Sequence, residues 1–117
     1  EMKKIGSGKI LNISSVHGIL MAPGAVIYET AKTAVIGLTK QLAVEYGKWG
    51  IRVNSISPAG VFRNQDPGFV KMLSSRIPLG RMANPEELKG PAVFLCSEAS
   101  SYITGANLIV DGGRTIW

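Results

Sequence analysis

The stretch KILNISSVHGILMAPGAVIYETAKTAVIGLTKQLAVEYGKWGIRVNSIS, residues 9–57, decides the fold. It opens on KILNIS, residues 9–14, a short Ile/Leu-rich run of the kind that forms a strand buried on both faces. Gly18, Pro23 and Gly24 break the chain next, so residues 15–25 read as a loop. From Val26 to Tyr46 the pattern is helical, with Ile27, Ala31, Ala34, Val35, Leu38, Leu42 and Val44 or Tyr46 recurring along one expected apolar stripe. Gly47 and Gly50 end the helix, and IRVNSIS, residues 51–57, predicts a second strand stopped by Pro58. A helix crossing over between two apolar strands implies that the strands are parallel and the connection right-handed.

Upstream, EMKKIGSG, residues 1–8, reads as a helix end with Gly6 and Gly8 as punctuation. Downstream, residues 59–80 are irregular, with a short helix expected around 69–75. NPEELKGPAVFLCSE then begins a helix: Asn84 suits the N-cap, Pro85 the first helical position, and Glu87 closes a capping box while favouring the dipole. Gly90 and Pro91 predict a kink in its middle. SSYITG makes a turn, and NLIVDGG, residues 107–113, predicts a third strand. The order strand, helix, strand, helix, strand describes an α/β protein built on a parallel sheet, with no internal repeat and no low-complexity linker.

The chain of 117 residues has room for one small domain. Its 45% hydrophobic and 18% charged residues mark a globular chain. No apolar run approaches the roughly 18–20 residues of a membrane span, and the charged, Gly-rich start does not read as a signal peptide. The lone Cys96 excludes an internal disulfide, fits a reducing cytoplasmic compartment and is expected as a small core residue. A net charge of +5 raises the question of nucleic acid. The bases, however, are spread singly from Lys9 through Lys40, Arg52, Lys71 and Arg81 to Arg114, with no aromatic interleaving, which reads as a solvated, mildly basic surface. No Cys, His and carboxylate cluster has the spacing of metal ligands.

Parallel sheets present reacting groups where strands end and loops open. Ser14 and Ser15 fall at such an end. Tyr28 and Lys32 are four apart on a helix and therefore share a face. An ammonium beside a phenol favours the phenolate, and a phenol so placed can exchange a proton with a carbonyl or alcohol oxygen. A serine hydroxyl can hold that same oxygen by a hydrogen bond. The Tyr–Lys spacing alone is weak, because a surface pair supporting the helix would show it too.

The full set of words says more. GKILNISSVHG, YETAK, GIRVNSISPAGV and PLGRMANPEELKGPAVFLCSEASSYITGANLIVDGG run in order and in register, and they resemble the short-chain dehydrogenase/reductase family from Gly8 to Gly113. The family's Tyr-x-x-x-Lys motif matches Tyr28 and Lys32, and its serine, thirteen residues before the tyrosine, matches Ser15. Its strand-end asparagine and Pro-Gly pair match Asn54 and Pro58 in part, and its Tyr-Ile-Thr-Gly turn and Val-Asp-Gly-Gly end match Tyr102 to Gly105 and Val110 to Gly113.

The resemblance implies a catalytic set of Ser15, Tyr28 and Lys32. Tyr28 would be the acid/base, Ser15 would position the substrate carbonyl, and Lys32 would bind the nicotinamide ribose and favour the ionised tyrosine. Tyr28, Lys32, Pro58, Gly60 and Val61 would contact an NAD or NADP cofactor. Ser15 would contact the substrate. From the residues alone, His17 in the bordering loop reads either as a substrate contact or as a solvated bystander, and Phe62 and Phe69 either as lining a substrate lid or as ordinary packing. The reaction implied is reversible hydride transfer between nicotinamide and a carbonyl or secondary alcohol of a sugar, keto-acid or 3-oxoacyl small molecule.

In the family the Gly-rich phosphate loop, the ribose selector and an active-site asparagine lie upstream of the serine, and none has a match here. Residues 1–117 therefore resemble a single partial domain: the C-terminal, catalytic half of a doubly wound Rossmann-like sheet. Its strands would be 5, 6 and 7 of the order 3-2-1-4-5-6-7, with the nucleotide-binding half absent and the isolated chain inactive. Strand 5 would then carry an open edge. A homo-oligomer, dimer or tetramer, is expected, with Ile116 and Trp117 at an interface. Ala59 stands where the family has glycine and is expected to be mildly strained, while Arg63 replaces a cofactor-contacting threonine near Asn64 and Gln65. Asp111, Gly112 and Gly113 read as turn residues. Two rivals stand beside this reading: a non-catalytic homologue serving as scaffold or subunit partner, and a sugar-nucleotide epimerase or dehydratase sharing Tyr-x-x-x-Lys.

Overall fold

The computed structural model describes residues 1–117 in full. A short helix α1 (Met2–Ile5) is closed by Gly6 in the left-handed conformation, and the chain enters strand β1 (Gly8–Ile13). Helix α2 (Val26–Tyr46) leads to β2 (Ile51–Pro58), helix α3 (Pro67–Ser74), helix α4 (Lys89–Cys96) and β3 (Asn107–Val110). The three strands form one parallel sheet in the order β1-β2-β3, with Gly8 opposite Ile51 and Ser55 opposite Asn107.

Central β2 is buried almost throughout, although it carries Asn54, Ser55 and Ser57. Those polar groups are tolerated because each is matched. Asn54 donates to the Ile103 carbonyl at 2.9 Å and accepts the Ala106 N–H at 3.0 Å. The Ser55 and Ser57 hydroxyls both donate to the Asn107 side-chain oxygen, at 2.9 and 2.7 Å. No buried side-chain polar atom lacks a partner. Arg52, the one half-exposed residue of β2, donates to the carbonyls of Leu95, Ser97 and Ile103, so a cation closes the C-terminal end of α4.

Helix α2 turns Glu29, Lys32, Ile36, Thr39, Ala43 and Tyr46, all buried or half-buried, toward the sheet and the loop after β1. Thr39, fully buried, donates to the Val35 carbonyl and accepts from Asn12 of β1 at 3.0 Å. The expected stripe is thereby corrected. Ile27 is 87% and Val44 82% exposed, and Leu38 is exposed as well. The helix is apolar on nearly every side, so periodicity could not tell the sheet-facing side from the other.

Three further expectations change. Cys96 is exposed, not in the core: Leu95 takes the inward position of α4, and the next residue is turned about 100° away. Ala59 is not at positive φ; among non-glycine residues only Asn64 is, because the Ala59 N–H still bonds the Val110 carbonyl as part of the sheet. The kink at Gly90 and Pro91 is replaced by a break just before them. A 3-10 turn (Pro85–Leu88) hands over to α4 at Lys89, which puts Pro91 in the first turn, where its missing N–H costs no helical bond. Helix α3 starts two residues before the expected 69, capped by the Asp66 carboxylate on the Phe69 N–H at 3.0 Å.

Glu87 closes back on the Asn84 N–H at 2.8 Å and takes a two-pronged bond from Arg81, each prong 2.7 Å. The Arg81 bond first, and the Asn84 N–H second, lower its carboxyl from the ordinary 4.5 to about 2. A carboxyl lowered on folding stabilises the fold fully above its unfolded value and loses that contribution as it is protonated. Between pH 4.5 and about 2 the wild type should therefore lose stability more steeply than Glu87→Gln, as measured by acid titration of the far-UV circular dichroism. Equal slopes would show that the pair contributes nothing to folding.

Candidate active site

At the C-terminal end of β1 the chain turns from extended Ser14 and Ser15 into a 3-10 turn (Val16–Gly18). The Ser15 hydroxyl accepts the His17 N–H at 3.1 Å, which fixes its rotamer, and both serines are buried. Ser14 donates to the Lys32 carbonyl at 2.7 Å, tying the strand end to α2 at the level of the lysine. Lys32 itself reaches back, donating from Nζ to the Ile13 carbonyl at 3.1 Å. Its ammonium lies 5.7 Å from the centre of the Tyr28 ring.

Ser15, His17, Tyr28, Lys32, Pro58, Gly60 and Val61 all line one cavity of about 720 Å³ at the C-terminal ends of β1 and β2. Its size is that of a small-molecule site. Phe62 is not on this wall; its N–H bonds the Ala83 carbonyl at 2.8 Å, and the half-exposed Phe69 of α3 lines the cavity instead. The loop beyond β2 is held by Gln65, which accepts the Arg63 N–H at 2.6 Å and donates to the Val61 carbonyl at 2.8 Å. Asp111 accepts the N–H groups of Gly113 and Thr115; burial raises its carboxyl, but these bonds outweigh it and hold it low, as suits a turn residue.

Sequence reasoning passed over Glu29. It is only 4% exposed, yet it is the residue next to Tyr28. One oxygen meets His17 Nδ1 at 2.7 Å, and both accept the Ala22 N–H. The His17 bond, chiefly, holds the Glu29 carboxyl below its usual range against the opposing effect of burial. An ionised carboxylate only accepts, so His17 Nδ1 carries the hydrogen of this bond. The His17 and Tyr28 rings stand edge to face, 6.3 Å between centres. A carboxylate inside a Tyr-Glu-Thr-Ala-Lys word has no sequence signal of burial, and only the fold discloses the pairing.

A family model described as enoyl-(acyl carrier protein) reductase matches residues 1–115. The chain belongs to the short-chain dehydrogenase/reductase family. Among its relatives is the A-factor type gamma-butyrolactone 1'-reductase of Streptomyces virginiae, 44% identical over 93% of this chain and 45% of that protein. The gluconate 5-dehydrogenase of Gluconobacter oxydans is 43% identical over 95% of this chain and 46% of that protein. The crystal structure of a Burkholderia cenocepacia gluconate 5-dehydrogenase, in complex with NADP and tartrate, superposes with a TM-score of 0.94 at 37% identity, covering 99% of this chain and 48% of that one. A short-chain dehydrogenase from Leptospira borgpetersenii with bound NAD+ gives 0.90 at 43% identity, covering 97% and 47%. The chain thus spans about half the length of the relatives it matches. Its three parallel strands and their helices are part of the family's Rossmann-like α/β fold. No helix is long and apolar enough to cross a membrane.

Proposed function

We propose that this chain is the catalytic half of an NAD(P)-dependent oxidoreductase acting on a carbonyl or secondary alcohol of a small molecule of the sugar, keto-acid or 3-oxoacyl type. The observation that carries the reading is the meeting of Ser15, Tyr28 and Lys32 on one cavity wall, with the serine rotamer and the lysine each fixed by a hydrogen bond. Ser15 would hold the substrate oxygen, Tyr28 would give it or take from it a proton, and Lys32 supplies positive charge beside the phenol.

The residues present suit the nicotinamide end of the cofactor. An ammonium has three donors and Lys32 uses one on Ile13, so the others are free for ribose hydroxyls. Pro58, Gly60 and Val61 bring the end of β2 to the same cavity. When bound, the cofactor supplies the hydride. The sequence has no Gly-rich turn of the kind that cradles phosphates between a strand and a helix, so the phosphates would be held by a second, nucleotide-binding half. That half would pair with the free edge of β1, whose only neighbour is β2. Only 18 of 117 residues are buried, far fewer than a closed domain of this length would cover. The exposed face of α2 and the exposed Ile116 and Trp117 favour assembly as a homo-oligomer, and a single thiol fits the cytoplasm.

The test is oxidation of NADH and NADPH by the whole protein carrying this chain, against keto-sugars, keto-acids and acyl thioesters. Turnover by the whole protein and none by residues 1–117 alone is expected. A whole protein that neither binds a nicotinamide nucleotide nor reduces any carbonyl of the panel would refute the reading.

A further inference from the structure

The sequence contains five arginines, and the structure divides them into two kinds. Arg52 is spent on three carbonyls and Arg81 on Glu87. The guanidinium groups of Arg63, Arg76 and Arg114 have neither an ion pair nor a hydrogen bond. All three line the 720 Å³ cavity that holds Ser15 and Tyr28. They arrive from separate places: the loop after β2, the end of α3, and the 3-10 turn (Arg114–Ile116) after β3. Lys32 is on the same wall, and no aspartate or glutamate is.

Cations left without partners repel one another and raise a positive potential inside a concave site. Three unpartnered guanidiniums on the lining of one cavity, with no carboxylate among them, favour an anion there. The guanidinium fork matches a carboxylate or phosphate two bonds at a time, which a lysine cannot do. Arg114 is half-buried, whereas Arg63 and Arg76 reach solvent.

We propose that this cavity selects an oxyanion, held by Arg63, Arg76 and Arg114 while the reacting carbonyl lies at Ser15 and Tyr28. The place of the carbonyl rests on the proposed function; the anion site rests on the arginines alone. Two sources offer this chemistry: the carboxylate of an acid substrate and a phosphate of the nucleotide. The first narrows the substrate class to keto-acids and their hydroxy-acid counterparts.

Two measurements on the whole protein test this. In the first, calorimetry follows tartrate, a hydroxy-dicarboxylate probe, and separately NADP+, binding to the wild type, to Arg63→Gln, Arg76→Gln and Arg114→Gln, and to the triple variant. In the second, kcat/KM for a keto-acid is compared with that for its methyl ester. We expect tartrate binding to weaken about tenfold or more in the triple variant, and the wild-type preference for acid over ester, tenfold or more, to vanish there. Nucleotide binding should change less than twofold. Weaker nucleotide binding with unchanged tartrate binding would assign the oxyanion to a cofactor phosphate. Equal affinity of wild type and triple variant for both probes would overturn the anion site, whatever the turnover. Arginine-dependent tartrate binding without any carbonyl reduction would leave the anion site standing and remove the oxidoreductase reading.

Discussion

Tyr28→Phe is expected to lower carbonyl reduction by the whole protein about 10²–10⁴-fold, the usual contribution of a positioned acid/base. The argument is one of geometry. Tyr28 is half-exposed at the start of α2, on the cavity wall that also carries the buried Ser15. No hydrogen bond to the protein occupies the phenol oxygen, so its removal leaves no buried group unpaired. The substitution should therefore leave the melting temperature within a degree or two of the wild type and nucleotide affinity nearly unchanged. A fall in kcat with steady KM for the nucleotide is the expected signature, because the lost interaction belongs to the transition state. Turnover of Tyr28→Phe within a few-fold of wild type would refute the assignment of the proton-transfer role. Lys32→Ala differs in kind, since it also releases the Ile13 carbonyl and should weaken nucleotide binding as well.

The contrast between these residues also shows what a sequence can carry. The strand–helix–strand order and the bounds of α2, from Val26 to Tyr46, were legible because Gly and Pro punctuate the chain and β2 reads as a continuous run. Ser15, Tyr28 and Lys32 could be singled out because the words around them resemble a family's, and the structure brings all three to one cavity. Arg63, Arg76 and Arg114 were not read together: they lie far apart in sequence, and only the fold brings them to one cavity. Burial was the least legible property. Cys96 looks like core and is exposed, whereas Glu29 looks like surface and is buried, because a one-residue step of about 100° in helix phase decides each. A helix such as α2, apolar all round, needs two partners, and local pattern cannot say which one a given face meets.

Gly18→Ala is expected to destabilise the fold by about 1–3 kcal/mol and to damage the site at the same time. A methyl group at Gly18 would stand 2.9 Å from the Lys32 carbonyl oxygen, 2.9 Å from the Ser14 hydroxyl oxygen and 2.9 Å from Ile36 Cδ1. Ile36 can change rotamer. The Lys32 carbonyl cannot move alone, because it is backbone of α2 and accepts the Ser14 bond that joins helix to strand. The overlap must be relieved by pushing the turn after β1 away from α2, and that turn carries Ser15 and His17. The natural control is Gly37→Ala on the same helix, where an added methyl meets nothing within 4 Å. There the helix gains by losing the flexibility of glycine, by about 0.5–1 kcal/mol. Thermal unfolding of the two variants in the whole protein should thus move in opposite directions, and only Gly18→Ala should lose activity. If Gly18→Ala melted at the wild-type temperature with full turnover, the close approach of the turn to Lys32 would not be what holds Ser15 against the face of α2 that carries Tyr28 and Lys32.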